Sequence, residues 1–251
     1  MCSRHLQCTL VACCLLLGLA SNAGADESAT VVAEWTARLQ TAATDLRQSR
    51  FATARDTTDA VLREMLDQIA SGDGAGALLA LPIVLRAVAE SGLDRTDDAL
   101  WDWQTAVALN PEVARLSLGD YGDAGRGLAE RVRAEARSGR GSEPARTRGD
   151  QPIDPPVKIV SPAVTYPAAA RFSCRHGDLV VRVRIDPDGV LRRPRVERDP
   201  GNAALLVAGL EALRYTRYRP GSRGGVPVAV SLVTTVRFQI PGCPNEPTPP
   251  N

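Results

Sequence analysis

Apolar residues recur at every second position in two segments near the C-terminus. In Leu179–Ile185 one alternate set is wholly aliphatic, and in Val228–Ile240 the alternate set is apolar or threonine. A period of two predicts strands with one buried face. Asp186-Pro187-Asp188-Gly189 favours a tight turn after the first strand, so a hairpin that returns through Val190–Val196 is predicted.

Helices are predicted around this hairpin. Ala203–Leu213 carries an apolar stripe behind the capping residue Asn202, and alanines follow Tyr166-Pro167. Pro194 cannot donate a hydrogen bond to a neighbouring strand, so it places the second strand at a sheet edge. A helical crossover returns the last strand beside the first and antiparallel to it. The sequence therefore predicts an α+β fold with a three-stranded antiparallel sheet of order 2-1-3, packed on helices.

The N-terminal half, residues 26–136, has the pattern of amphipathic helices. One set of small and aromatic residues resembles a tetratricopeptide repeat in its spacing: Ala87, Ala99, Trp103, Ala106 and Pro111. An earlier partial copy has Thr58 where an aromatic residue is expected: Ala42, Phe51, Ala54 and Thr58. About three repeats are needed for a stable stack, so the prediction is a small domain of repeat-like helical hairpins.

Residues 1–25 have the pattern of a cleavable export signal. Arg4 precedes the apolar run Cys8–Ala20, and Ala23-Gly24-Ala25 offers small residues for cleavage before Asp26. The apolar run is shorter than the roughly 20 residues that span a bilayer. We expect a periplasmic chain. The alternatives are a lipoprotein modified on Cys13, within the lipobox-like Leu10-Val11-Ala12-Cys13, and a retained membrane anchor.

Two cysteines lie outside the predicted signal. Cys174 and Cys243 are an even pair in an oxidising compartment. The predicted topology brings the end of the last strand near the start of the first. A Cys174–Cys243 disulfide is therefore predicted, with two free thiols as the alternative.

The charge is unevenly distributed. The net charge is +1, but residues 151–251 hold 14 Lys and Arg against 8 Asp and Glu. Such an excess fits an acidic partner or a membrane surface. It fits equally a solvated sheet face that carries Arg182, Arg184, Arg192 and Arg195. Residues 137–156 are predicted as a flexible linker and residues 244–251 as a disordered tail.

Catalytic chemistry finds little support in the sequence. Beyond the signal, His176 is the one histidine, next to a turn glycine, and a nucleophile needs a neighbouring base. Gly72–Gly76 lacks the Lys-Ser/Thr ending of a phosphate loop and is interpreted as a turn between helices. We expect no enzyme activity, no cofactor, no metal site and no nucleic-acid partner.

The C-terminal segment, roughly residues 157–241, resembles the TonB C-terminal domain. The resemblance rests on several pieces in a fixed order, which include the cluster Arg214-Tyr215-x-Arg217-Tyr218-x-Pro220. Its single motif residues are Tyr166, Pro167, Gly177, Asp188, Gly189, Tyr218, Pro220, Gly225 and Pro227. With the helical region, this predicts domains at 26–136 and 157–243, on either side of the linker.

The resemblance implies an energy transducer that binds outer-membrane receptors by strand addition. Its partners would be such a receptor or another envelope protein, an inner-membrane proton-channel complex, and a second copy in a homodimer. The implied binding strand comprises Val228, Ala229, Val230, Ser231, Leu232, Val233, Thr234, Thr235, Val236, Arg237 and Phe238.

Two departures from that family lead to an alternative. Ser3 and His5 do not match the Ser-x-x-x-His motif of the family's membrane helix, and a short linker replaces the Pro-rich rod. The alternative is an uncoupled periplasmic adaptor, in which the helices bind one protein and the sheet another.

Overall fold

The computed structural model of the chain describes residues 23–69, 75–139 and 152–243. Most of the predicted signal, residues 140–151 of the linker and the tail 244–251 lie outside the described residues. Contacts divide the chain into two compact units, residues 1–38 and 39–251. The helical region comprises α1 (Ala23–Arg47), α2 (Phe51–Gln68), α3 (Ala75–Gly92), α4 (Thr96–Leu109) and α5 (Gly122–Gly139), with 3-10 turns at Pro111–Arg115 and Gly119–Tyr121.

Two predicted boundaries in this region need correction. Ala75 and Gly76, predicted to belong to a turn, are the first residues of α3, and residues 72–74 lie outside the described part. The helix α5 continues to Gly139, into the segment predicted as a linker. Glycine weakens a helix without excluding it, so a glycine-rich composition does not determine where α3 begins or where α5 ends.

The turns that precede α2 and α4 have the same backbone conformation. Ser49 and Asp94 both adopt a φ of 59°. In each turn the amide of the following arginine donates to the carbonyl of an acidic residue five positions earlier, at 2.8 Å and 2.9 Å. The same arginine and acidic residue also form an ion pair in each turn. The two turns therefore repeat one local structure, in agreement with the two sets of repeat-like residue spacings in the sequence.

The small residues predicted to lie between the helices are buried. Ala42, Ala54, Ala87 and Ala99 are each 0% exposed, and Trp103 is also buried. The helix α3 is long and apolar enough to cross a membrane, but 72% of it is buried within the protein. It packs against α2, α4 and α5. Its apolar composition is therefore that of a central core helix.

The C-terminal part contains β1 (Val157–Val160), α6 (Ala168–Phe172), β2 (Gly177–Ile185), β3 (Leu191–Arg198), α7 (Ala203–Arg214), β4 (Arg217–Arg219), β5 (Gly221–Arg223), β6 (Val226–Val228) and β7 (Val230–Phe238). The main sheet is antiparallel with the order β3-β2-β7. The predicted hairpin, the short helix after Pro167 and the order 2-1-3 are confirmed. The side-chain oxygen of Asn202 caps α7 by accepting from the amide of Leu205 at 3.1 Å.

Two further sheets of two strands complete this part, since β1 pairs with β4 and β5 pairs with β6. These short strands are not predicted from the sequence. The predicted start of the last strand at Val228 is wrong, because the alternation of residues continues through a break in the backbone pairing. Val228 ends β6 opposite Gly221, Ala229 lies between the strands, and the last strand begins at Val230.

The helical region and the main sheet share one hydrophobic core. The inward residues of β2 are 0–1% exposed. Trp101 of α4 belongs to the same cluster of buried residues, and α4 packs against both β3 and α7. The two regions that the sequence separates by a linker therefore pack together within one compact unit, residues 39–251.

Candidate strand-binding site

Among the residues that the structure describes, β7 is paired on one side only. It lies antiparallel to β2 in unbroken register, from Val230 opposite Ile185 to Phe238 opposite Gly177. The order β3-β2-β7 leaves it at the edge of the sheet. The backbone N–H and C=O groups that point away from β2 can therefore pair with a further strand.

The two faces of β7 differ in burial. Val236 and Phe238 are buried, and the Phe238 ring lies beside Gly209 of α7. Val233, at 47% exposed, is a large apolar side chain that stays open near the middle of the strand. The exposed face consists of Ser231, Val233, Thr235 and Arg237. An added strand would meet this valine and a row of backbone groups.

The opposite edge strand, β3, contacts the helical region. Arg192 donates from Nη2 to Asp97 of α4 at 2.8 Å, and Arg193 pairs with Glu135 of α5 at 3.2 Å. Arg193 has a φ of 55°, and the register with β2 shifts nearby. Together with Pro194, these features disfavour pairing along β3. Of the two edges of the main sheet, β7 is the more regular and the less covered.

The arginines of the main sheet are largely paired within the domain. Arg182 donates from Nε to Glu197 at 2.8 Å, and Arg184 donates from Nε to Asp186 at 2.7 Å. Arg192 reaches the same aspartate at 2.8 Å. These contacts support the interpretation of a solvated sheet face over that of a site for an acidic partner on β2 and β3.

Several family-motif residues fix the end of the sheet at which β2 begins and β7 ends. The Tyr166 ring meets Phe238 edge to face at 5.5 Å between centroids, and its hydroxyl donates to the carbonyl of Arg175. A Cβ atom at Gly177 would collide with the carbonyl oxygen of Pro200, so the close approach requires glycine. Pro167 is buried and immediately precedes α6.

Two further motif residues lie in the β2–β3 turn. Gly189 has a φ of 80°, and its carbonyl accepts from the amide of Tyr218 at 3.0 Å. Hydrogen bonds from Arg192 lower the pKa of the Asp188 carboxyl, and the amide of Val190 contributes further. The turn is therefore held both to β4 and to its own hairpin.

The remaining motif residues belong to the short strands. Pro220 lies between β4 and β5, and Pro227 lies in β6. Gly225 supplies the turn of the β5–β6 hairpin with a φ of 81°. These residues thus shape the chain that leads into β7 and do not line its outer edge.

The predicted disulfide is present. Cys174 and Cys243 are bonded, with their Cα atoms 5.7 Å apart. The bond joins the segment before β2 to the segment after β7. On the chain-entropy model, closing a loop of this length stabilises a protein by about 4 kcal/mol. The disulfide therefore holds the C-terminal end of the candidate strand near the start of its neighbour.

A buried ionic network that the sequence does not predict connects the helices with α7. Asp102 of α4 is 0% exposed. It accepts from Nη2 of Arg86 at 2.6 Å and from Nη1 of Arg214 at 2.9 Å. Arg86 also pairs with Asp59 and Glu211. The sequence hints at this network only through charged residues in apolar segments. Arg86 follows an aliphatic run, and Asp102 lies between two tryptophans.

Burial and charge act in opposite directions within this network. Burial works against the charged guanidinium of Arg86, but the attraction of Asp102 and Glu211 outweighs it and raises the pKa of Arg86 well above its ordinary value. Burial also opposes the charge of Arg214, and the attraction of Asp102 again raises its pKa. Burial raises the pKa of Asp102 itself, against the pull of both arginines. Each charge therefore depends on its partners to remain in the core.

Within residues 23–69, 75–139 and 152–243, no group of three or more His, Cys, Asp and Glu side chains is placed to hold a metal ion. The prominent arrangement is structural: a regular edge strand, a disulfide at its end, and helices fixed against the far side of the sheet. An unpaired edge strand of this kind is the feature that strand addition requires.

Comparison with known families identifies the C-terminal part. Residues 162–240 match the family described as the Gram-negative bacterial TonB protein C-terminal. The matched segment contains β2, β3, α7 and β7, and it therefore includes the candidate strand-binding edge. Neither the curated proteins nor the solved structures gave a match to this chain. The chain thus carries a TonB C-terminal-like domain, preceded by a helical region that the family match does not cover.

Proposed function

We propose that this chain is a periplasmic protein-binding module that binds an outer-membrane transport receptor by adding a receptor strand to β7. The observation that carries the proposal is the unpaired edge of β7 within a segment that matches the TonB C-terminal family. The nine residues of the strand provide backbone donors and acceptors at regular intervals. Main-chain hydrogen bonds would supply affinity, and side chains beside Val233 would supply specificity.

A second candidate function is an uncoupled adaptor, with the helices binding one envelope protein and β7 another. The buried contacts of Asp102 with Arg86 and Arg214 favour it, because they tie the helical region to α7. A transducer of this family would present its C-terminal domain on an extended rod. Here the helices instead pack directly on the domain.

A pair of proline substitutions tests strand addition at β7. Neighbouring backbone N–H groups of a strand point to opposite edges. Of the two variants Val233→Pro and Thr234→Pro, one therefore removes an N–H donor on the outer edge of β7, and the other removes a hydrogen bond to β2. The outward variant is expected to remain folded and to lose binding of extended peptides from the organism's outer-membrane receptors, measured by calorimetry. Val233→Thr is the matched control, since it keeps the N–H group and the branched shape.

The circular dichroism spectrum and the intact disulfide show which proline variant remains folded. If that variant binds receptor peptides as tightly as the unmodified chain, β7 is not the binding edge. Hydrogen exchange gives an independent readout, because an added strand should protect the outward amides of β7 while the amides paired with β2 keep their rates.

Intact mass separates the transducer from the adaptor. The protein is purified from its native envelope without reducing agent. A chain that begins at Asp26 and is lighter by two hydrogens, as a disulfide requires, favours a periplasmic adaptor. An uncleaved chain in the membrane fraction favours the transducer. A lipid mass on Cys13 would contradict simple release into the periplasm.

A further inference from the structure

A second surface of the C-terminal part is formed by the short strands, away from the main-sheet ladder. Val157 lies opposite Arg219 across the β1–β4 pair, and Val160 lies opposite Arg217. Residues directly opposite each other in an antiparallel pair share a face. Because the register shifts between Lys158 and Val160, both valines fall on the face that carries these two arginines.

The segment before β1 extends this face. An isolated bridge joins Asp154 to Ser222 and continues the register of Val157 and Arg219 towards the N-terminus. The same register places Ile153 opposite Arg223. Ile153 therefore falls on the same face as Val157.

The strand β6 completes the surface, since Val226 pairs with Arg223 of β5. Ile159, two positions after Val157 and at the shift of the register, also falls on this face. We call this surface the aliphatic face and define it by Ile153, Val157, Ile159, Val160, Val226 and Arg219. Its aliphatic side chains are 41% exposed at Ile153, 43% at Val157, 62% at Ile159, 48% at Val160 and 64% at Val226. Exposed aliphatic side chains gathered on hydrogen-bonded segments exceed the scattered exposure of an ordinary surface.

The charge around this face has one sign. Arg217 and Arg219 lie on this face, opposite Val160 and Val157, and residues 155–160 and 212–228 hold no Asp or Glu. The nearest carboxylate in the sequence, Asp154, accepts from the Ser222 hydroxyl at 2.8 Å. Arg219 is exposed and lies on this face opposite Val157, and it has no ion-pair partner among the described residues. An occupant of this face should therefore be apolar and anionic.

The shape of β1 argues against a further strand as that occupant. Pro155 and Pro156 precede it and Pro162 follows shortly after, so its ladder is limited to four residues. Short length, flanking prolines and a lysine are features by which edge strands avoid pairing. Side chains exposed on such a strand can still insert into the interface of a membrane. Anionic headgroups would meet Arg217 and Arg219, and the acyl boundary would receive the valines and isoleucines.

We propose that the aliphatic face docks the protein on the surface of an anionic phospholipid bilayer. The proposal rests on the envelope location proposed above, because a bilayer must be within reach, but it is independent of strand addition at β7. Docking of this kind is weak and reversible, since a limited aliphatic area and few cations contribute. It holds the sheet at the membrane while β7 remains open to a protein partner.

Vesicle binding by the protein isolated from its envelope tests this proposal. The probes are vesicles of phosphatidylglycerol mixed with phosphatidylcholine, and vesicles of phosphatidylcholine alone. We expect binding to the anionic vesicles that weakens with salt and falls about tenfold or more in Ile159→Glu. Ala114→Glu is the matched control, because it makes the same charge change at an exposed residue of the helical region and should bind as the unmodified protein does.

Lys158 adjoins the aliphatic face, between Val157 and Ile159, and it provides a second readout because it is the one lysine of the chain. Bound anionic vesicles should slow its acetylation, as measured by mass spectrometry, in the unmodified protein and not in Ile159→Glu. If Lys158 is protected from acetylation by raised protein concentration alone, the proposal is overturned, and the occupant of the face is a second copy of this protein. Protection by polyglutamate without vesicle binding would overturn it in favour of an acidic protein partner.

Equal vesicle binding by Ile159→Glu and the unmodified protein would also overturn the proposal. Receptor-peptide binding should be unchanged in Ile159→Glu, because the aliphatic face lies on other strands than β7. Failure of membrane docking is therefore distinguishable from failure of strand addition.

Discussion

Asp102 illustrates how much a single residue contributes to this molecule. Its carboxylate is fully buried and is neutralised by guanidinium groups from α3 and α7. A buried charge of this kind is tolerated when its hydrogen bonds are complete and becomes costly when a partner is lost. Trp101 and Trp103, on either side, are buried apolar packing residues. Asp102 is thus the polar centre of an otherwise apolar contact.

Removal of this carboxylate should destabilise the protein strongly. Asp102→Ala leaves Arg86 and Arg214 short of a partner in the core, and we expect a loss of about 3–5 kcal/mol in the free energy of unfolding. Urea denaturation measures it. Asp98→Ala is the control, because Asp98 also pairs with Arg214 but is 40% exposed, and its removal should cost about 1 kcal/mol or less. Similar losses in the two variants would contradict the role given to burial.

Asp188 should make the stability of the protein depend on pH in the acidic range. Its folded-state pKa lies below the ordinary value of 3.8, chiefly because Arg192 donates to it. A lowered folded pKa stabilises the fold above the ordinary value, and this contribution is lost as the pH falls through the folded value. We expect thermal stability to fall less steeply between about pH 4 and pH 2 in Asp188→Asn than in the unmodified protein.

Asp120→Asn is the control for this pH dependence. Asp120 is an exposed carboxylate of the helical region, so this variant makes the same chemical change away from the hairpin turn. Identical slopes in both variants and the unmodified protein would show that the contact between Asp188 and Arg192 contributes nothing to stability.

At the residue scale the sequence predicts local features and misses distant ones. It predicts Asn202 as a helix cap, since a cap is a local property, and the Cys174–Cys243 disulfide follows from the strand order. The pairing of Asp102 with Arg214 joins residues 112 positions apart. It depends on how α4 packs against α7, and periodicity within either helix contains no information on that packing.

Among the elements, the β2–β3 hairpin depends on a glycine that the sequence identifies only as a turn residue. Gly189 combines a φ of 80° with a close approach, because a Cβ atom there would collide with the carbonyl oxygen of Tyr218. Gly225 has a φ of 81°, and among the described residues no heavy atom outside its chain neighbours lies within 4 Å of the corresponding position. The two glycines therefore share the backbone conformation and differ in the space around them.

This difference gives a matched test of how the hairpin packs on β4. Gly225→Ala should cost about 1 kcal/mol from backbone strain. Gly189→Ala should cost about 1–3 kcal/mol more, because the backbone of Tyr218 must also move. Chemical denaturation of the two variants measures the difference. Equal costs would mean that the contact with Tyr218 yields easily and that the turn alone requires glycine.

The predictability of the elements follows from their length. The strands β2 and β7 and the helix α7 are predictable because each presents a long apolar pattern to one core. The strands β1, β4, β5 and β6 have three or four residues each, which is too short for a period of two to be distinguished from chance. The wrong start of the last strand has the same origin, since Val226–Val228 continues the alternation of β7 although it pairs with β5.

In the whole molecule, the helices and the sheet are joined by three kinds of contact. Trp101 contributes to the sheet core, Asp102 binds Arg214 of α7, and Arg192 and Arg193 of β3 reach back to the helices. A predicted linker does not suggest such packing, because composition indicates where a chain can be flexible and not whether its two sides pack together. Shared burial of apolar and charged groups makes cooperative unfolding the expected behaviour.

A substitution far from the sheet tests this cooperativity. Leu128 of α5 is 0% exposed and lies outside the sheet core. Leu128→Ala should destabilise the helical region by about 2–5 kcal/mol through the cavity that it leaves. If residues 39–251 unfold together, the slowest amides of β2 should exchange faster by the same factor as those of α4, as measured by native-state hydrogen exchange.

Unchanged exchange in β2 beside faster exchange in α4 would instead show two independent domains. The result bears directly on function, because the two candidate roles need different behaviour. Only a cooperative unit lets a partner bound to the helices alter the edge at which β7 accepts a strand, since coupling between two sites requires an equilibrium that both of them bias. Independent domains would still allow an adaptor that binds two proteins at once, but the affinity for each partner would then not depend on the other.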